Sequence, residues 1–267
     1  MMPSYRTRQT RKAVAAALAA STVMLVALSS TDARAAEQDI FNAEVQSKKS
    51  PQHFALEIRI SPFAPDIDKE SSLGGKTPYK DTFGTMKRAL VGFEFDYQAI
   101  RIPWVGTLGP GFSASYTQMT DHSFKLDGTR SAENTDLTLY PLYLAAVLRA
   151  DVFYRQYKIP VVPYAKAGVG ATFWQITNPG GTSTIPDANG NNISGKGYTL
   201  GTQWAAGIAI ALDSLDKGAS VNMDTAVGIN STYIYGEYYL AAINGIAQSH
   251  PLLVGTNTWC AGLAFEF

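Results

Sequence analysis

The sequence predicts an all-β fold: an eight-stranded antiparallel transmembrane β-barrel of outer-membrane type. Three observations predict it. The first is the final strand, where Trp259, Ala261, Leu263, Phe265 and Phe267 share one face and Thr258, Cys260, Gly262, Ala264 and Glu266 the other. Successive side chains of a strand point to opposite faces, so the bulky apolar set and the small or polar set are separated. That polarity is inverted for a soluble barrel and suits a strand with lipid outside and a tight lumen inside. The second observation is that most of the seven earlier segments repeat the alternation. The third is that the connections between them alternate long and short, as barrels with short turns on one side and long loops on the other require.

The chain has 267 residues, and its start is expected to be removed. Arg6, Arg8, Arg11 and Lys12 form a basic region, and Ala13 to Leu28 is mostly apolar. That run of about 16 residues is shorter than the roughly 20 of a spanning helix. Ala33-Arg34-Ala35 supplies small residues at cleavage-site spacing, so processing is expected after Ala35 or Ala36. The expected organisation is a signal peptide over 1–36, a periplasmic lead-in over 37–52 and the barrel over 53–267. With 23 glycines, 14 tyrosines and only 16% charged residues, the composition favours a barrel over a helical enzyme. The zero net charge offers nucleic acid no attraction. Cys260 is the only cysteine, so no intramolecular disulfide forms.

The first strand begins near His53, with Phe54, Leu56, Ile58 and Ile60 outward and Ala55, Glu57, Arg59 and Ser61 inward. Ala64 to Arg88 is a long polar loop. The second strand, Ala89 to Tyr97, turns Val91, Phe93, Phe95 and Tyr97 out and Gly92, Glu94 and Asp96 in. Ile100 to Gly109 is a short connection. The third strand, Gly111 to Met119, precedes a polar loop over Thr120 to Thr135. The fourth, about Asp136 to Ala150, contains Pro141, which is expected at a bulge that switches the faces. After the short Val152 to Pro160 comes the fifth strand, Val161 to Ile176, with Tyr164, Lys166, Gly168 and Gly170 inward. Thr177 to Gly197 is the most loop-like stretch. The sixth strand is Tyr198 to Leu212, and Asp213 to Val227 holds a short helical turn. The seventh is about Gly228 to Ala242, and Ile243 to Gly255 is the last loop. An even strand number places both termini on one side and the four long loops on the other.

Eight strands enclose an interior just wide enough for side chains to fill. The inward polar set is Glu57, Arg59, Glu94, Asp96, Arg149, Lys166, Glu237 and Glu266. Unpaired ions are too costly in a low-dielectric interior, so these groups are expected to form a hydrogen-bonded network. The competing reading is a narrow polar pore, which would prefer cations because carboxylates outnumber bases. Glu266 is placed within reach of Arg59 or a neighbour once the barrel closes. Cys260 is assigned to the lumen face as a small buried filler.

Three other groupings are weighed. Asp66, Asp68 and Glu70, with Asp81 nearby, form a candidate loop cation site, although Ser71 stands where an EF-hand loop has glycine. Asp121-His122-Ser123 has the residue types of a hydrolase, without evidence of the geometry that chemistry needs. Asp187, Asn189 and Asn191 are a weaker cation candidate, and His250 is assigned to the last loop. Several of Tyr154, Tyr157, Trp174, Tyr233, Tyr235, Tyr238 and Tyr239 are read as aromatic girdles at the two membrane boundaries.

An aromatic residue at the very end of such a strand resembles bacterial outer-membrane barrels, in which it marks the closing strand for the insertion machinery. Here that strand carries Trp259, Leu263, Phe265 and Phe267. From about Phe54 to Phe267 the chain also resembles a family of outer-membrane barrels found mainly in myxobacteria. The resemblance rests on Pro65-Asp66-Ile67-Asp68, Thr77-Pro78-Tyr79, the stretch Arg101 to Gly111, Pro163 to Gly168, and Gly228 to Tyr233. It implies location and fold, with no defined activity and no catalytic residues. The expectation is a non-enzymatic, cofactor-free barrel whose partners are outer-membrane lipids and the barrel insertion machinery. It displays four external loops, with a solute conduit as the alternative and an outer-membrane hydrolase as a distant one.

Overall fold

The fold is described from a computed structural model covering residues 52–124, 129–186, 190–249 and 251–267. The expected signal peptide, most of the lead-in, Asp187, Asn189 and His250 lie outside the described residues. The barrel strands are β1 (Phe54–Phe63), β2 (Arg88–Tyr97), β3 (Gly106–Phe124), β4 (Arg130–Arg149), β5 (Val161–Asn178), β6 (Lys196–Ala211), β7 (Ser231–Ala242) and β8 (Thr256–Glu266). Each pairs antiparallel with its chain neighbours, and β8 returns to β1, so the sheet is a closed eight-stranded barrel. Closure leaves no open edge around the wall of the barrel itself.

The seam runs from Ala55 opposite Glu266 to Ile60 opposite Ala261. The Phe54 N–H donates to the Phe267 carbonyl at 2.9 Å, and the Phe267 N–H donates back at 3.0 Å. Phe54 stacks on Phe95 at 5.4 Å, with Phe267 6.1 Å away, so the terminal aromatic is packed into the seam. The sidedness expected for β1, β2, β5 and β8 holds: Ile58, Phe93, Val169 and Trp259 are exposed, while Glu57, Glu94, Lys166 and Cys260 are buried.

Four features differ from expectation. The stretch assigned to a polar loop over Thr120 to Thr135 is largely strand, since β3 runs on to Phe124 and β4 starts at Arg130. This tall hairpin stands on cross-strand polar pairs rather than an apolar face. Thr120 donates to Asp136 at 2.5 Å, and Arg130 pairs with Asp121 at 2.9 Å. Second, Pro141 switches no faces. The β3–β4 register is the same at Ala114 opposite Leu142 and Thr117 opposite Leu139, and Pro141 points inward in step with Leu139 and Tyr143. Third, the connection after β2 contains a further short strand, Ile100–Ile102, which pairs with the start of β3. Fourth, the stretch Thr177 to Gly197 contains a small hairpin of Thr184–Pro186 against Asn192–Ser194.

Helices occupy three connections. The β1–β2 loop contains α1 (Pro78–Phe83), started by proline in its first turn, and the β4–β5 turn contains α2 (Val152–Tyr157). The β6–β7 connection holds α3 (Lys217–Val227), where the Asp216 carboxylate accepts from the Ala219 N–H and Gly228 at φ 74° ends the helix. The helical turn expected there is thus an eleven-residue helix.

Candidate functional site

The lumen gathers the chemistry of the chain, and strand parity builds it. The register sets Glu57 of β1 directly opposite Glu94 of β2, a like-charge pair that is unfavourable by itself. Lys166 of β5 reaches across and resolves it: its Nζ lies 2.7 Å from Glu57, 2.8 Å from Glu94 and 3.4 Å from Glu237. The Arg149 guanidinium bridges Glu57 and Asp96, each at 2.5 Å. Arg59 bridges Glu94 at 3.0 Å and Glu237 at 2.6 Å. The Tyr164 hydroxyl donates to the second Glu237 oxygen at 3.0 Å. Each base therefore spans at least two carboxylates in one buried network, the arrangement that offsets desolvation best.

Space for these long side chains comes from glycine. A Cβ added at Gly207 would lie 2.7 Å from the Glu237 Cβ and from the Tyr164 ring. One added at Gly262, beside Arg59 across the seam, would meet the Ile58 carbonyl at 2.0 Å. Aromatic faces complete the belt, with Arg59 5.0 Å above Tyr239 and Lys166 5.1 Å from Tyr164.

Seven of the eight expected lumen residues join this one network. Glu266 does not pair with Arg59. The register puts it opposite Ala55 at the turn end, four positions below the partner of Arg59. There it accepts from the Tyr233 hydroxyl and the Gln98 amide, both at 2.9 Å. Nearby on α2, the Tyr154 hydroxyl is pushed up to about 12 by burial, with Asp213 and Glu266 adding to the shift.

Tyr233, Tyr235 and Tyr239, expected in the girdles, are buried in the lumen; Tyr238 and Tyr157 face outward. The signal was present, because the three buried tyrosines share the parity of Glu237. A second lumen feature was missed altogether. Toward the long loops, the inward residues Phe63, Leu90, Met119, Leu137, Leu139 and Ile243 form a mainly apolar cap, joined by Tyr79 and Phe83 of α1, with Ser61, Thr117, Thr172, Thr199 and Gln203 buried at the same end.

The loop acids do not converge. Asp66 pairs with Lys69 at 2.8 Å. The Asp68 carboxylate accepts from the Tyr79 and Lys80 N–H groups at the start of α1. Glu70 accepts from the Ser72 N–H, and Asp81 from the Thr77 hydroxyl. Each serves local structure, and together they form no cation site. The acids that do converge are Glu57, Glu94 and Asp96, with oxygens within 4.8 Å of one another. Lys166 and Arg149 already stand between them. Asp121 accepts from the His122 main-chain N–H and from Arg130, so its bonds go to groups other than an imidazole.

No family model matches the chain, and neither does any curated protein. Among solved structures, Ail, the attachment invasion locus protein of Yersinia pestis, is 13% identical with a TM-score of 0.38, over 82% of this chain and 99% of that one. The N-terminal β-barrel domain of Pseudomonas aeruginosa OprF is 12% identical with a TM-score of 0.36, over 81% and 100%. Acinetobacter baumannii CarO2 is 11% identical with a TM-score of 0.32, over 82% and 100%. Likeness at this level is too weak to carry a role from one barrel to another.

Proposed function

We propose that this protein is an outer-membrane barrel acting as a closed, non-enzymatic anchor that holds four loops outside the cell. The single observation that carries the reading is the filling of the lumen by two stacked layers, an ion-paired belt and an apolar cap. Membrane placement is supported by the wall. Ile58, Ile60, Val169, Leu144 and Ile208 are all more than half exposed, while charge is buried. A soluble monomer rarely shows a contiguous apolar surface beyond a few hundred Å². The resemblance to myxobacterial barrels fits the same placement, with lipids and the insertion machinery as partners. The conduit reading is disfavoured by the large side chains that fill the loop end, although Thr117, Thr172, Thr199 and Gln203 are buried among them.

Limited proteolysis of intact cells tests the proposal. Cleavage within 179–195, with protection of the turn at 98–105 until the outer membrane is permeabilised, is the expected pattern. Protection of both sites in intact cells and their joint release with the periplasm would place the protein elsewhere.

A further inference from the structure

The lipid-facing wall is not uniformly convex. Across β4, β5 and β6 the outward residues Ala146, Ala165, Ala167 and Ala206 are small and adjacent. Ala146 is opposite Ala167, and Ala165 is opposite Ala206. Bulky neighbours rise on both sides, Leu108 and Leu148 on one and Trp204 and Tyr238 on the other. The result is an apolar groove of about 530 Å³. The two central strands, β4 and β5, are joined directly below it by the 150–160 connection, which carries exposed Arg155 and Lys158 beside exposed Phe153 and Tyr157. Arg155 is held by Asp151 at 3.4 Å and keeps about 45% of its side chain exposed.

We propose that this groove binds one anionic phospholipid of the periplasmic leaflet, its acyl chain in the alanine floor and its phosphodiester at Arg155 and Lys158. The inference rests on the outer-membrane placement above. Charge complementarity selects the occupant. An apolar groove on strands whose connecting turn carries two exposed bases and two exposed aromatics, one of the bases paired with Asp151, matches a lipid with an acidic headgroup. A second protein copy would gain nothing from bases at the foot of the groove.

Trp204 lines the groove and reports on it. A protein carrying Trp104→Phe, Trp174→Phe and Trp259→Phe keeps Trp204 as its one fluorophore. A control with all four tryptophans replaced and Phe93→Trp places the fluorophore on the opposite wall. Both are refolded into phosphatidylcholine vesicles containing increasing fractions of phosphatidylglycerol with brominated chains. The bound lipid quenches Trp204 at an about fivefold lower fraction than the control, as expected for one net base near a membrane surface, since Asp151 already pairs with Arg155. Ala146→Leu with Ala167→Leu fills the floor and returns Trp204 to the control curve. Arg155→Gln with Lys158→Gln abolishes the preference for phosphatidylglycerol over brominated phosphatidylcholine. Superposed curves for the two unmodified positions show ordinary annular lipid and overturn the proposal. Equal quenching by both brominated lipids overturns the headgroup assignment. Quenching of Trp204 below the control shows a second copy in the groove and also overturns it. If neither fluorophore is quenched, the protein is not in the bilayer and the outer-membrane reading itself is wrong.

Discussion

The lower and upper halves of the lumen are lined by the same strand parity yet sealed by different physics. Below, Arg59, Arg149 and Lys166 interlock with Glu57, Glu94, Asp96 and Glu237. Above, Phe63, Met119, Leu137, Leu139 and Ile243 are buried against one another and fill the lumen by packing. An ionic belt tolerates only one register, because a one-residue slip would turn every charge toward lipid. It contributes specificity more than net stability. An apolar cap is more forgiving of shape and contributes through buried area. On the proposed reading, the two layers together fix the threading of the barrel and shut it.

Removing one member of each half separates the two mechanisms most sharply. Lys166→Ala should cost the most, about 4 kcal/mol, because three buried carboxylates lose a shared cation. Urea unfolding of protein refolded in vesicles measures it, and a loss under about 1 kcal/mol would show that water already screens the belt. Leu139→Ala should cost about 3 kcal/mol, a transfer and cavity effect with no charge left behind. The two losses should also differ in kind. Adding Glu57→Gln and Glu94→Gln should recover much of the first, and no charge change should recover the second. Gly207→Ala should cost about 2 kcal/mol by pressing on Glu237 and Tyr164, and a neutral result would mean the belt has slack. The smallest effect lies outside both halves. Asp68→Ala should cost about 1 kcal/mol locally, seen as faster proteolysis between 64 and 87 with global unfolding unchanged.

The contrast also explains what the sequence made legible. Strands with one bulky face and one charged face were readable, because lipid outside and ion pairs inside leave opposite signatures in alternate positions. Most of the belt followed from parity, since Glu57, Arg59, Glu94, Asp96 and Lys166 alternate on strands whose phase was clear. The cap did not, because an inward Leu137 or Met119 looks like a lipid-facing residue unless phase is carried across the whole strand. Carrying the phase through β4 was blocked by the expected bulge at Pro141. The top of the β3–β4 hairpin was unreadable for a different reason: it lies in water on both faces, so Thr120, Asp121 and Asp136 carry no hydropathy signal. The loop acids misled because helix capping and metal ligation use the same residue types, and only the position of α1 decides between them.

The central claim is that the lumen is shut at two levels, and single-channel recording in planar bilayers tests it most directly. Protein first shown to be folded by its heat-modifiable gel mobility should produce no conductance steps at any voltage the bilayer withstands. Reproducible ohmic steps selective for cations would contradict it, showing that the cap opens and the belt conducts.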